Sequence, residues 1–395
     1  LTDLVPIERW ARVDPFLLSS PNQVKAYLSH KGYKIPKNRK TKRPTADEEA
    51  LAEILRKHTD PTLEMILEGR HLAKAISYLE DTFLGKDGRL HPRYTVIPKT
   101  GRLSAKAPNI MTLPQGREGG LMTEVASAIR STIIPEPGYV LAELDWKAIE
   151  AVLVGYFASD KDYILAAKKG VHAIFASHLL ASDGLIKEPV SPREDIEEFV
   201  AWIKKAHPGV YAKAKKRIHA GSYGQGAYNM AKDLGCSVDE VRKLDAVFAS
   251  MAPKVAKWQT DTRRRAHSEG KLVNPFSYAL NFFEVFTKRD GEWVLGKEAS
   301  EVLAFLPQST GAAMLRECIV ILGNHPDEGE KFHLLIPTHD SLALEIRIEC
   351  LDEILRMVRG KMECCWPELG GLSIEVDIKV GKCLSEKEMR PYALS

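Results

Sequence analysis

The sequence has no long apolar run and no charged-then-apolar leader, so its pattern offers neither a membrane-spanning helix nor a secretory signal. Cysteine is scarce. Cys236, Cys318, Cys350, Cys364, Cys365 and Cys383 include no CxxC pair and no regular spacing, which speaks against a disulfide framework or a zinc site and for reduced thiols. Neither sign of charge dominates: a net charge of +3 over 395 residues is too small to announce a nucleic-acid partner, which must be read from local patches instead. The chain does not begin with Met, and Leu1 is read as a processing or cloning boundary. What the composition does supply is apolar mass. At 44% hydrophobic residues, a chain of this length can fold as two or three subdomains with sizeable cores.

The stretch 139–150, YVLAELDWKAIE, begins with strand-forming and apolar residues and delivers an acid, Asp145, where the run ends. Helix-compatible residues from Ala148 to Val154 follow, so a strand-to-helix turn just after Asp145 is expected. A second acid has a similar setting. Phe332-His333-Leu334-Leu335-Ile336-Pro337 and Leu342-Ala343-Leu344-Glu345-Ile346 read as strands, with Thr338-His339-Asp340-Ser341 as the hairpin turn between them. Singly, Asp145 reads as a helix cap and Asp340 as a turn residue. Brought within about 4 to 6 Å on adjacent strands, the two carboxylates can hold a pair of Mg²⁺ ions for in-line phosphoryl transfer.

Between these acids, Lys215, His219 and Tyr223 recur every four positions and so share one face of a helix. Alone, such a stretch is a solvated basic helix with a core tyrosine. A cation, an imidazole and an aromatic ring in a row also suit a nucleoside triphosphate. Gly221, Gly224 and Gly226 do not make a dinucleotide fingerprint, because a cationic helix precedes them rather than a strand.

In this order the three stretches resemble motifs A, B and C of the family A DNA polymerases, most closely the phage-like members. Asp145-Trp146-Lys147-Ala148-Ile149-Glu150-Ala151 is similar to the DYSQIE-type motif A, Lys215 to Gly224 to the KxxxxxxxYG motif B, and His339-Asp340-Ser341 to the HD(E/S) motif C. Two further matches are Thr100-Gly101-Arg102-Leu103-Ser104 with Pro108-Asn109, which resembles TGRLS...PN, and Pro307-Gln308-Ser309-Thr310-Gly311-Ala312-Ala313, which resembles the QGTAAD helix. Each is weak alone; five in the correct order over roughly 240 residues are specific.

The resemblance implies an α+β right-hand polymerase fold with an antiparallel palm sheet, helical fingers and a short helical thumb. It places the thumb at 1–90 with a basic tip at 31–43, the first part of the palm at 91–155, the fingers at 156–299 and the second part of the palm at 300–395. The tip run Lys31, Lys34, Lys37, Arg39, Lys40, Lys42 and Arg43 would grip the DNA backbone independently of sequence. The implied function is a DNA-directed DNA polymerase acting on primer-template DNA and dNTPs in the cytoplasm or nucleoid of a bacterial or phage-infected cell. Asp145 and Asp340, with the Trp146 carbonyl, would hold two Mg²⁺, with Mn²⁺ as a substitute. Lys215 would bind the triphosphate and protonate the departing pyrophosphate, Glu150 would exclude ribonucleotides, and His219 and Tyr223 would border the nucleotide. Arg102, Asn109 and Gln308 would contact DNA, with His339 beside the primer terminus.

The chain departs from the family pattern at several positions. Tyr211 replaces the arginine four residues before the motif B lysine, which turns attention to Lys213, Lys216 or Arg217 as further triphosphate contacts. Position 219 holds His rather than Phe or Tyr, Val152 replaces the arginine of the motif A helix, and Ser341 replaces the motif C acid. Asn109-Ile110-Met111-Thr112-Leu113-Pro114 stands where relatives often carry NLQNIP. No DxE-type acidic set precedes residue 90, so synthesis without proofreading is expected of this chain unless such a domain lies upstream. The alternatives are a single-subunit RNA polymerase, against which Glu150 and Thr100-Gly101-Arg102 argue, and a non-catalytic DNA-binding subunit, against which Asp145, Lys215 and Asp340 argue.

Overall fold

The computed structural model of the chain describes residues 16–38, 41–77, 84–96, 99–113 and 121–394. Leu1, Arg39, Lys40 and Pro114, named above, lie outside the described residues. Two compact units emerge: Leu1–Pro92 with Ala107–Ile134 and Cys383–Glu388, and Arg93–Lys106 with Pro135–Lys382 and Met389–Ser395.

In the first unit, helices Pro21–His30, Glu48–Leu55 and Pro61–Ile76 enclose a core of Val24, Tyr27, Leu28, Leu51, Ile54, Leu63 and Ile66. Each helix start is written in the sequence. Ser20, Asp47 and Asp60 accept the otherwise unpaired N–H groups of Gln23, Ala50 and Thr62, and proline opens two of the three helices. Asp60 is only 5% exposed and also accepts the hydroxyls of Tyr27 and Tyr33, each at 2.9 Å. Burial pushes its carboxyl up, but these hydroxyls and the N–H groups of Leu63 and Thr62 outweigh it, leaving the pKa below the usual value. Lys31, Lys34, Lys37, Lys42 and Arg43 are exposed. Helix Leu121–Ser131 adds Ile129 to a small cluster with Ala75 and Leu113.

The strands of the second unit are β1 (Arg93–Thr95), β2 (Ser104–Lys106), β3 (Tyr139–Trp146), β4 (Lys271–Val273), β5 (Ala279–Asn281), β6 (Phe286–Arg289), β7 (Glu292–Leu295), β8 (Phe332–Pro337), β9 (Ser341–Arg347), β10 (Val376–Gly381) and β11 (Arg390–Pro391). Five of them form an antiparallel sheet in the order β11-β10-β3-β9-β8, so the Asp145 strand lies at its centre. Alternate residues Ala142, Leu144 and Trp146 enter a core shared with Met314, Leu315, Cys318 and Leu322 of helix Ala299–Gly323 and with Ile354, Leu355, Val358 and Met362 of helix Leu351–Met362. Burying each larger side chain contributes roughly 1.5–3 kcal/mol, which fixes the register of β3, since a one-residue slip would expose all three.

A second core gathers Phe175, Phe248, Trp258 and Phe305 among the helices that follow β3. The α+β class and the antiparallel sheet are as expected, with two local differences. Residues 100–109 read as loop, yet Ser104–Lys106 pairs with Arg93–Thr95, because Gly101 and Pro108 fall outside the paired residues. The segment 156–299, read as helical, contains the hairpins β4-β5 and β6-β7. The second turns at Asp290-Gly291, both at positive φ (51° and 87°), an Asp-Gly hairpin signal that the helical reading passed over.

Candidate active site

The sheet register brings the two candidate carboxylates to adjacent strand ends. Asp145 lies opposite Ser341 on β9 and Asp377 on β10, and the Trp146 N–H donates to the Asp340 carbonyl at 3.1 Å. The turn that carries Asp340 is closed by the Thr338 N–H on the Ser341 carbonyl at 2.9 Å and by a bond between their hydroxyls. After Trp146 the chain reverses through Ala148, held in the left-handed region at φ 50°, and enters helix Ile149–Phe157 with Glu150 in its first turn. One strand-to-helix turn therefore presents Asp145 and Glu150 together.

Their electrostatics are coupled. Asp145 opens to solvent at the strand end, yet partial burial, then the charges of Asp340, Glu143 and Asp377, push its pKa up to about 7 against the pull of Lys379. Burial also raises Asp340, opposed by His339 and Arg102. Glu150 is raised by burial although it is ion-paired with Arg102, and the Asp340 charge adds to the rise. Partial burial first, then Arg102, holds the His339 imidazole below its ordinary value. Arg102, Glu150, His339 and Asp340 thus form one cluster next to Asp145. The Arg102 loop is itself anchored: Arg316 donates to the Gly101 carbonyl and lies 5.9 Å from the Tyr278 ring centroid, while Lys99 pairs with Glu301 at 2.8 Å.

Helix Pro208–Ser222 supplies the other wall. His219 and Tyr223 line a cavity of about 170 Å³ together with Glu150, Asp340 and His172. Lys215, His219 and Tyr223 share a second cavity of about 630 Å³, and Lys215 is exposed there. The other cations of this helix have partners of their own. Lys213 pairs with Glu240, Lys216 donates to the Asp233 carbonyl at 2.8 Å, and Arg217 is buried against Asp245 at 2.6 Å and over the Phe248 ring at 4.3 Å. Of the three, Lys216 lines the larger cavity beside Lys215, whereas Lys213 and Arg217 line neither cavity. His172, which sequence reasoning passed over, is pushed down to about 4 by burial and then by His219, Lys215 and Lys204, so its imidazole is neutral at pH 7. No spacing signal marks it, since it comes from a separate helix, Val171–Ser182.

The remaining candidates are not gathered in these cavities. Gln308 is half-buried on helix Ala299–Gly323 and lines neither one. Asn109 belongs to the first unit, where it precedes the short 3-10 turn Ile110–Thr112 with its Oδ1 buried. The Trp146 side chain is buried and its ring N–H donates to the Met362 carbonyl at 3.0 Å. Among the described residues no group of three or more His, Cys, Asp or Glu side chains is gathered around a metal position. Asp145 and Asp340 are two hard oxygen donors crowded by further acids, a set that suits Mg²⁺ completing its shell from water and substrate phosphates rather than from a protein cage. No helix among the described residues is long and apolar enough to cross a membrane.

Comparison with known proteins identifies the family. The family model described as DNA polymerase family A matches residues 6–386. The thermostable DNA polymerase I of Thermus aquaticus is 28% identical over 389 residues, covering 95% of this chain and 42% of its own, and DNA polymerase I of Pseudomonas aeruginosa is 26% identical over 359 residues, covering 88% and 36%. The chain spans less than half the length of these relatives. Among solved structures, the POL domain of Pol1 from M. smegmatis, in complex with DNA primer-template and dNTP, superposes with a TM-score of 0.76 over 94% of this chain and 62% of that one at 22% identity, a likeness of fold. With the matching model spanning both aspartates and the helix between them, the chain belongs to DNA polymerase family A.

Proposed function

We propose that the chain is a DNA-directed DNA polymerase that adds deoxynucleotides to a primer 3′-hydroxyl on a DNA template, releasing pyrophosphate. The observation that carries this reading is convergence: Asp340, Glu150, His219 and Tyr223, from three stretches distant in sequence, line one cavity, with Asp145 at the adjoining strand end. In this reading the five-stranded sheet is the palm, the helices of residues 156–299 the fingers, and the helices before residue 90 the thumb with its basic tip.

Polymerases of this family are divalent-metal dependent, and the finer reading is two Mg²⁺, or Mn²⁺ in their place, held by Asp145 and Asp340 with the Trp146 carbonyl. Bound there, they supply Lewis acidity that lowers the pKa of the primer hydroxyl and offsets charge on the transferring phosphoryl group. Lys215 holds the triphosphate by charge and gives a proton to the leaving pyrophosphate. Glu150 fills the space beside C2′ of the incoming sugar and so rejects ribonucleotides, while Tyr223 and His219 border base and sugar. Arg102, held to Glu150 through one guanidinium nitrogen, offers its remaining N–H donors to the primer terminus. Asn109, Gln308 and His339 add contacts to primer and template. The reading carries a cytoplasmic, DNA-associated location.

Primer extension tests it. On a DNA template with Mg²⁺, dNTPs should be incorporated far faster than rNTPs. Preference for rNTPs would instead favour an RNA polymerase, and binding of primer-template without any extension a DNA-binding subunit.

A further inference from the structure

Tyr211 stands where the family pattern has an arginine, so the nucleotide-facing side of helix Pro208–Ser222 lacks one cation. The preceding helix, Glu197–Ala206, is joined to it at His207, whose carbonyl accepts the Tyr211 N–H at 3.1 Å. This corner folds the last turn of one helix against the first turn of the next. The Lys204 ammonium consequently lies 5.5 Å from the centroid of the Tyr211 ring, within cation–π range. The Tyr211 ring meets His172 edge-on at 6.3 Å, and His172 lies 4.8 Å from His219, which shares its cavity with Glu150 and Asp340. Lys204 thus reaches this cluster through the Tyr211 ring, and its charge acts on His172 together with that of Lys215. Lys204 is exposed. Unlike Lys213, Lys216 and Arg217, it has no ion-pair or backbone-carbonyl partner among the described residues.

We propose that Lys204, resting on the Tyr211 ring, is a second triphosphate-binding cation of this chain, delivered from the neighbouring helix in place of the arginine missing at position 211. The inference rests on the polymerase reading for its substrate. Its chemistry is that of an exposed ammonium meeting phosphate oxygens through charge-assisted hydrogen bonds. The aromatic ring beneath limits where a flexible lysine can go, so less rotamer freedom is lost on binding.

The test titrates the full chain with inorganic tripolyphosphate by calorimetry and, in parallel, measures single-nucleotide insertion. Lys204→Ala should weaken tripolyphosphate binding about tenfold. It should raise KM for dNTP by a similar factor, change kcat less, and leave primer-template affinity unchanged. Lys204→Arg should keep binding, and Tyr211→Arg added to Lys204→Ala should restore it by returning the charge to the helix itself. Lys205→Ala, one residue along the same helix, should bind like the parent. Unaltered tripolyphosphate affinity in Lys204→Ala overturns the proposal and leaves the lysine a helix-terminal charge; so does a loss that Tyr211→Arg fails to restore. If the parent chain does not extend primers, the polymerase reading falls, while the tripolyphosphate titration still decides the role of Lys204.

Discussion

Gly221, in the last turn of helix Pro208–Ser222, lies beneath the side chain of Arg217. A Cβ built there would stand 2.5 Å from the guanidinium carbon and 3.3 Å from Nε, well inside van der Waals contact. Gly221→Ala would ordinarily stabilise a helix by about 1 kcal/mol. Here it has to displace a buried guanidinium. The Arg217 side chain is 7% exposed and its partner Asp245 is 44% exposed, so solvent screens the pair and its loss costs only about 1–2 kcal/mol. Leaving the Phe248 face, 4.3 Å away, costs about 1–2 kcal/mol more. Burial holds the Arg217 pKa below its ordinary value although Asp245 opposes the shift. The balance is a net destabilisation of about 2 kcal/mol, read by urea unfolding under far-UV circular dichroism. Adding Arg217→Ala removes the obstruction and leaves only the propensity gain of about 1 kcal/mol, so the double-mutant cycle should show a coupling of about 3 kcal/mol. A Gly221→Ala variant more stable than its parent, or a coupling near zero, would refute this account of the packing of Arg217 over Gly221.

Three further expectations follow from the electrostatics. Asp60→Asn keeps the helix cap but loses the charge that receives two tyrosine hydroxyls, and should cost about 2 kcal/mol at pH 7. Because the folded pKa of Asp60 is depressed, that stability is present above the unfolded value near 4 and is lost as pH falls through the lower folded value, so melts of parent and variant should converge in acid. Asp145 has the opposite sign. Its pKa of about 7 means that its charge weakens the metal-free fold increasingly from near pH 4 up to pH 7, so Asp145→Asn should raise Tm at pH 8 and do little at pH 4. Mg²⁺ should raise the Tm of the parent and not of the variant; an equal response in both would remove Asp145 as a ligand. Glu150→Ala should narrow the preference for dNTP over rNTP by roughly tenfold or more, measured as a ratio of kcat/KM values, and an unchanged ratio would deny it the gate.

Much of the candidate site was legible because its signals are local. The strand-forming run Tyr139–Trp146, the turn chemistry of Thr338-His339-Asp340 and the fourfold spacing of Lys215, His219 and Tyr223 are each set by neighbours in sequence; the first is β3, the second joins β8 to β9, and the third runs along helix Pro208–Ser222 with Tyr223 at its C-cap. What escaped is made by tertiary packing. The pairing of Arg102 with Glu150, the burial of Arg217 against Asp245 and the entry of His172 into the cavity join residues between 28 and 48 positions apart, or on different helices, with no periodicity to announce them. The β6-β7 hairpin was missed for another reason. Its Asp290-Gly291 turn was readable, but a helical expectation for the whole segment overrode it.

The most direct measurement is primer extension with dNTPs and Mg²⁺ by the parent, Asp145→Ala and Asp340→Ala, with primer-template affinity measured alongside. The account predicts extension by the parent, its loss in both variants, and binding retained in all three. Normal extension by either variant, or a parent that binds primer-template and never extends it, would contradict the claim that these two strand-end carboxylates carry the chemistry.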